Sequence, residues 1–168
     1  MPYNCSAAAP GEQIIHGACR PAHPRQTPPD SSVQEWTSFR KSQGIERVCC
    51  LLDQEHLVGY GDLLDEYRSA FGPDHVCHAP ISDFESVSTE AFHGTIRPFL
   101  KQADAQSEPV VVHCSAGMGR TGHVLALWLA SNRGCSIEAT VEQVESRGRN
   151  PFEAITLDDL DDLLGDEE

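Results

Sequence analysis

Between Val110 and Gly122 the chain reads Val-Val-Val-His-Cys-Ser-Ala-Gly-Met-Gly-Arg-Thr-Gly. A β-branched apolar run, a glycine-containing loop and the start of a helix follow one another there. Three chemistries compete for this segment. Gly117-x-Gly119-x-x-Gly122 formally matches a dinucleotide-binding fingerprint. That fold needs a further strand after the helix, whereas Ser136 onward reads as another helix. A Walker-type loop needs a lysine after its last glycine, and the two lysines, Lys41 and Lys101, lie elsewhere. The third chemistry is a cysteine nucleophile in a phosphate cradle. Cys114 and Arg120 enclose five residues, a Cys-x5-Arg spacing. A loop wound around an oxyanion turns successive N–H groups inward, and the next helix presents its positive end to the same spot. Both effects are expected to depress the pKa of Cys114. Arg120 adds a planar two-pronged donor for phosphate oxygens. Gly117 and Gly119 allow close backbone approach. Thr121 can donate its hydroxyl to the sulfur, and His113 is expected to hold the loop rather than act as a base.

The elements that must position these residues are legible in the pattern. The spacing predicts a buried strand over 109–113 and a helix over 120–132, stopped by Gly134. Further strands are expected over 47–52 and 75–81. Helices are expected over 31–43, 57–71, 88–102 with a bend at Pro98, 136–147 and 157–164. Residues 1–30 hold six of the eleven prolines and read as an irregular arm with an edge strand at 13–16. Strands alternating with helices indicate an α/β domain over 31–168, with a central, mainly parallel sheet flanked by helices and a C-terminal helical bundle.

Composition narrows the partners. The 168 residues suit one domain. With 26 Asp+Glu against 12 Lys+Arg, the net charge is −14, which excludes general nucleic-acid or anionic-membrane binding. No apolar run is long enough to span a bilayer, and no secretory signal is evident, so a cytoplasmic location is expected. Few lysines among many carboxylates read as adaptation to molar salt, where screening lengths shrink to about 3 Å. Seven cysteines without Cys-x-x-Cys or zinc spacing point to thiols rather than a disulfide frame or a metal site. Cys49, Cys50 and Cys77 read as buried apolar positions, while Cys5, Cys19 and Cys135 carry no assigned role.

His113-Cys114-x-x-Gly117-x-x-Arg120-Thr121-Gly122 resembles the signature of the cysteine-dependent protein tyrosine phosphatase superfamily, in its small dual-specificity, archaeal-type branch. The resemblance extends over about 45–168. It implies a dual-specificity phosphatase-like fold, no cofactor or metal, and a monomer acting on phosphorylated protein through a phosphocysteine. Cys114 would be the nucleophile, and Ser115, Ala116, Gly117, Met118, Gly119 and Arg120 the phosphate-binding loop. Asp83, 31 residues before Cys114 in Ala-Pro-Ile-Ser-Asp-Phe, would be the general acid, with Glu85 as its rival. Asn150 and Glu153 are both candidates for positioning water, and Arg147 and Arg149 are read as solvated. No variable loop position is basic, which argues against polyphosphoinositides. A silent phosphate-reading module and an arsenate reductase are the alternatives. Cys49 and Cys50 are candidates for a redox bond to Cys114.

Overall fold

The computed structural model of the chain describes residues 6–23, 25, 28–29, 31–82, 85–152 and 156–165. Among the described residues, five strands form one sheet: β1 (Ser6–Ala7), β2 (Ile15–Ala18), β3 (Arg47–Cys50), β4 (Val76–His78) and β5 (Val110–His113), in the order β1-β2-β5-β3-β4. β2, β5, β3 and β4 are parallel, and β1 is antiparallel to β2. β3 and β5 are buried along their whole length, as strands covered by helices on both faces must be. The strand expected at the sheet edge is shifted to Ile15–Ala18 and lies inside the sheet, between β1 and β5. Local pattern marks a strand but not its rank in the sheet.

Period-two alternation distributes the side chains. Val48, Cys50 and Val111 face α1 (Ser32–Ser42) and a later helix (Leu63–Phe71), where Val33, Trp36, Leu63 and Tyr67 bury. Cys49, Val110 and Val112 face the opposite layer. α1 follows Ser31, whose side chain makes no capping hydrogen bond, and Cys49 is the register partner of Cys77 on β4.

A single helix over 57–71 is expected, but two form: α2 (Gln54–Leu57) and α3 (Leu63–Phe71). Gly61 sits at φ +81 between them, a conformation no right-handed helix passes through. The helix expected over 88–102 is likewise compound: α4 (Thr89–Ala91), a π turn (Phe92–Ile96) and α5 (Arg97–Gln106). Pro98 stands in the first turn of α5, directly after the π turn.

α6 (Gly119–Asn132) is buried on all sides from Gly119 to Leu129, which makes it the central helix of its layer. α7 (Ile137–Glu145) and α8 (Leu157–Gly165) pack on it through Val141, Val144, Leu160 and Leu163 and form the C-terminal bundle. Ser136 caps α7 by accepting the Ala139 N–H at 3.2 Å. No described helix is long and apolar enough to cross a membrane.

Candidate active site

The strand parity that sorts the core also separates His113 from Cys114. His113 falls on the α1/α3 side, with its ring 5.2 Å from that of Trp36 and 5.7 Å from that of Tyr67. Its Nδ1 lies 3.0 Å from the carbonyl of Cys114 and its Nε2 2.9 Å from the Tyr67 hydroxyl. A carbonyl only accepts, so Nδ1 carries the proton and Nε2 accepts from Tyr67. Burial pushes the His113 pKa down to about 3; the bond to Cys114 opposes this, and the guanidinium charges of Arg40, Arg120 and Arg20 reinforce it. The ring is neutral and fixes the carbonyl of Cys114, in accord with a holding role.

Cys114 directly follows β5, belongs to the other layer and is 2% exposed. Its Sγ accepts from the Gly117 N–H at 3.3 Å and from the Thr121 hydroxyl at 3.1 Å. The sulfur is thus held from the loop and from the first turn of α6 at once. Gly117 has φ +77, and a Cβ there would lie 2.6 Å from the backbone C and O of Ala18 on β2. Only glycine fits both conditions. Around it, Ser115, Ala116 and Met118 are half-buried, and Gly119 is buried.

Three side chains absent from the sequence-based site brace this loop. Arg149, expected in solvent, is 3% exposed. Its Nη1 donates to the carbonyl of Gly117, and its Nη2 donates to the carbonyl of Gly17 at 2.7 Å and to the Ser6 hydroxyl at 3.0 Å. The planar fork therefore ties loop, β2 and β1 together. Gly17 is glycine because a Cβ would meet the Arg149 guanidinium and Thr121 Cγ2, each at 2.9 Å. Arg20 braces the opposite side. Its N–H donates to the Ser115 carbonyl at 2.9 Å, and its Nε donates to the Ser115 hydroxyl at 3.0 Å. Its Nη1 reaches the Tyr60 hydroxyl at 2.9 Å. His123, on α6, is the third.

Arg120 is 3% exposed, and its Nη1 donates to the carbonyl of Ile81 at 2.8 Å. This brings the Cys-x5-Arg segment to the start of the segment that carries Asp83. Asp83 itself lies outside the described residues, as does Glu153. Glu85 is exposed, and its N–H donates to the Ser82 carbonyl at 3.0 Å. Asn150 is exposed and uses Oδ1 to accept the Phe152 N–H at 3.1 Å. Cys49 lies in the layer of Cys114, and Cys50 in the opposite layer. Burial drives the Cys50 thiol up to about 12.

Comparison with known proteins places this geometry. Over 68 residues the chain is 29% identical to the vaccinia virus dual specificity protein phosphatase OPG106, which covers 40% of this chain and 40% of that protein. The crystal structure of Tk-PTP in its active form superposes with a TM-score of 0.76 at 21% identity, covering 99% of both chains. Kinase associated phosphatase superposes with a TM-score of 0.72 at 21% identity, covering 92% of this chain and 89% of that one. These two establish likeness of fold. The family of DSP-PTPase phosphatases of polymorphic toxin systems matches residues 27–133, a stretch running from the approach to α1 through the end of α6. That match takes in β3, β4, β5 and the whole phosphate-loop segment, and by it the chain belongs to this phosphatase family.

Proposed function

We propose that the chain is a cysteine-dependent phosphomonoesterase acting on phosphotyrosine in proteins, and on phosphoserine and phosphothreonine, through a phosphocysteine intermediate. The observation that carries this reading is the sulfur of Cys114, held by two donors at 3.3 and 3.1 Å at the mouth of a strand–loop–helix, with Arg120 at the required spacing. The Cys114 thiolate attacks phosphorus in line, and the P–O bond to the leaving group breaks. Asp83 delivers its proton to the departing oxygen. Arg120 and the backbone of the loop from Ser115 onward stabilise charge on the equatorial oxygens. Water then attacks phosphorus as Asp83 takes its proton, the P–S bond breaks to release the Cys114 thiolate, and inorganic phosphate leaves. Thr121 stabilises the thiolate as it is expelled.

The family match favours turnover over silent phosphate reading and over arsenate reduction. The loop offers no lysine, and Ser115, Ala116 and Met118 are its half-buried variable positions, which suits a phosphoamino acid better than a polyphosphorylated inositol. The reading includes a monomer acting in the cytoplasm; the free thiols of Cys19, Cys49, Cys50, Cys77, Cys114 and Cys135 suit a reducing compartment. Hydrolysis of p-nitrophenyl phosphate in molar KCl with a chelator, comparing wild type with Cys114→Ser, tests the proposal. Turnover lost only in the variant is expected. A folded wild type that binds phosphate without turning it over would return the chain to the binding-module alternative.

A further inference from the structure

His123 has no place in the chemistry above, yet it is fully buried one turn into α6 and directed out of its helix. Its Nδ1 lies 3.1 Å from the carbonyl of Gly119, four residues earlier. Its Nε2 accepts the backbone N–H of Val87 at 3.0 Å. Both contacts require one tautomer: Nδ1 carries the proton, because Gly119 offers only an acceptor, and Nε2 is bare, because Val87 offers only a donor. Burial holds the ring in this neutral form, pushing its pKa down to about 4, with the charge of Arg120 adding to the effect.

The contact closes a pattern. Residues 82–86 connect Ile81 to Val87 and include Asp83. Ile81 is tied to Arg120 at 2.8 Å, and Val87 is tied to His123 at 3.0 Å. Both flanks of the segment are therefore anchored to the first turns of one helix, the helix that also supplies Thr121 to the sulfur. Val87 is itself 2% exposed, so its N–H has no water to turn to when His123 is replaced by a side chain that cannot accept. A proton donor loses rate steeply when held loosely.

We propose that His123 is a positioning residue for the general acid: it anchors the far end of the 82–86 segment to the phosphate-loop helix, as Arg120 anchors the near end. This rests on the reading of Asp83 as the proton donor. A general acid matters most for a poor leaving group, so the effect is selective. His123→Leu is expected to lower kcat/KM on phenyl phosphate by roughly 10–100-fold and on p-nitrophenyl phosphate by much less. His123→Gln places an amide oxygen where Nε2 was and is expected to recover most of the loss. His123→Asn keeps a donor for Gly119 without that acceptor and is expected to behave like the leucine variant. Equal losses on both substrates, or no recovery with glutamine, would overturn the proposal. Asp83→Asn is run in parallel. If it shows no leaving-group-dependent loss, the parent reading fails; if it shows one and His123→Leu does not, only the present inference fails. Nitrogen NMR of wild type covers the case of a variant that does not fold. A bare Nε2 with a through-bond coupling to the Val87 amide is expected, and a protonated Nε2 overturns the proposal.

Discussion

Thr121 and Arg149 act on the same loop by different physics, and their replacement separates the two. The Thr121 hydroxyl donates to Cys114 Sγ at 3.1 Å while its methyl packs near Gly17. Thr121→Val keeps the shape and removes the donor. Under the proposed mechanism, kcat falls by roughly tenfold, with the phosphocysteine accumulating because thiolate expulsion slows. A pre-steady-state burst on p-nitrophenyl phosphate reads this, and a variant without a burst and with wild-type kcat would count against the role. Arg149 is structural: its removal takes away the hydrogen bonds it donates to the carbonyls of Gly117 and Gly17 and to the Ser6 hydroxyl. Arg149→Met is expected to cost about 1–3 kcal/mol. Arg149→Lys would not rescue it, because a point charge cannot reach three acceptors in one plane. Urea unfolding of both variants measures the loss, and a lysine variant as stable as wild type would refute the fork geometry.

At the scale of the element, the strand–loop–helix around Cys114 was legible because all its determinants are contiguous: Val110–His113 is apolar and β-branched, and each fixed position from Cys114 to Gly122 has a local task. Its braces were not. Arg149 lies 32 residues from Gly117, Arg20 lies 95 from Ser115, and His123 lies 36 from Val87, separations at which no periodicity carries information. The same holds for β2, whose composition marks a strand while its place beside β5 depends on the assembled sheet. The break between α2 and α3 coincides with Gly59 and Gly61, while the apolar spacing on either side reads as one helix. The close approach of β2 to the loop makes its own prediction. Gly117→Ala meets Ala18 backbone at 2.6 Å, whereas Gly134→Ala, at φ +71, meets nothing within 4 Å. Gly134→Ala should lose only about 1 kcal/mol of backbone preference. Gly117→Ala should lose more and weaken phosphate binding. Equal thermal shifts for the two would show that β2 does not confine the loop.

The whole molecule carries its charge and its buried histidines in ways that solution conditions expose. His113 and His123 are neutral when folded, with pKa values pushed to about 3 and about 4, against an ordinary value of 6.5. Depressed values mean that the unfolded chain binds more protons, so stability falls as pH drops from 6.5 toward 4 and is unaffected by these groups above 6.5. Going from about pH 7 to about pH 5 should cost about 2 kcal/mol per histidine, read as a fall in the urea midpoint. An unchanged midpoint would mean that neither ring is held neutral in the folded state. The net charge of −14 makes a separate prediction. Adaptation to molar salt requires the melting temperature to rise from dilute buffer to molar KCl, and a flat response would dismiss it. The central claim, covalent catalysis by Cys114, has a more direct test. Acid-quenching the wild-type enzyme during turnover of p-nitrophenyl phosphate and mapping the peptides by mass spectrometry should find phosphate on Cys114, absent from Cys114→Ser. Turnover with Cys114 unmodified, or phosphate carried on another residue, would contradict the mechanism.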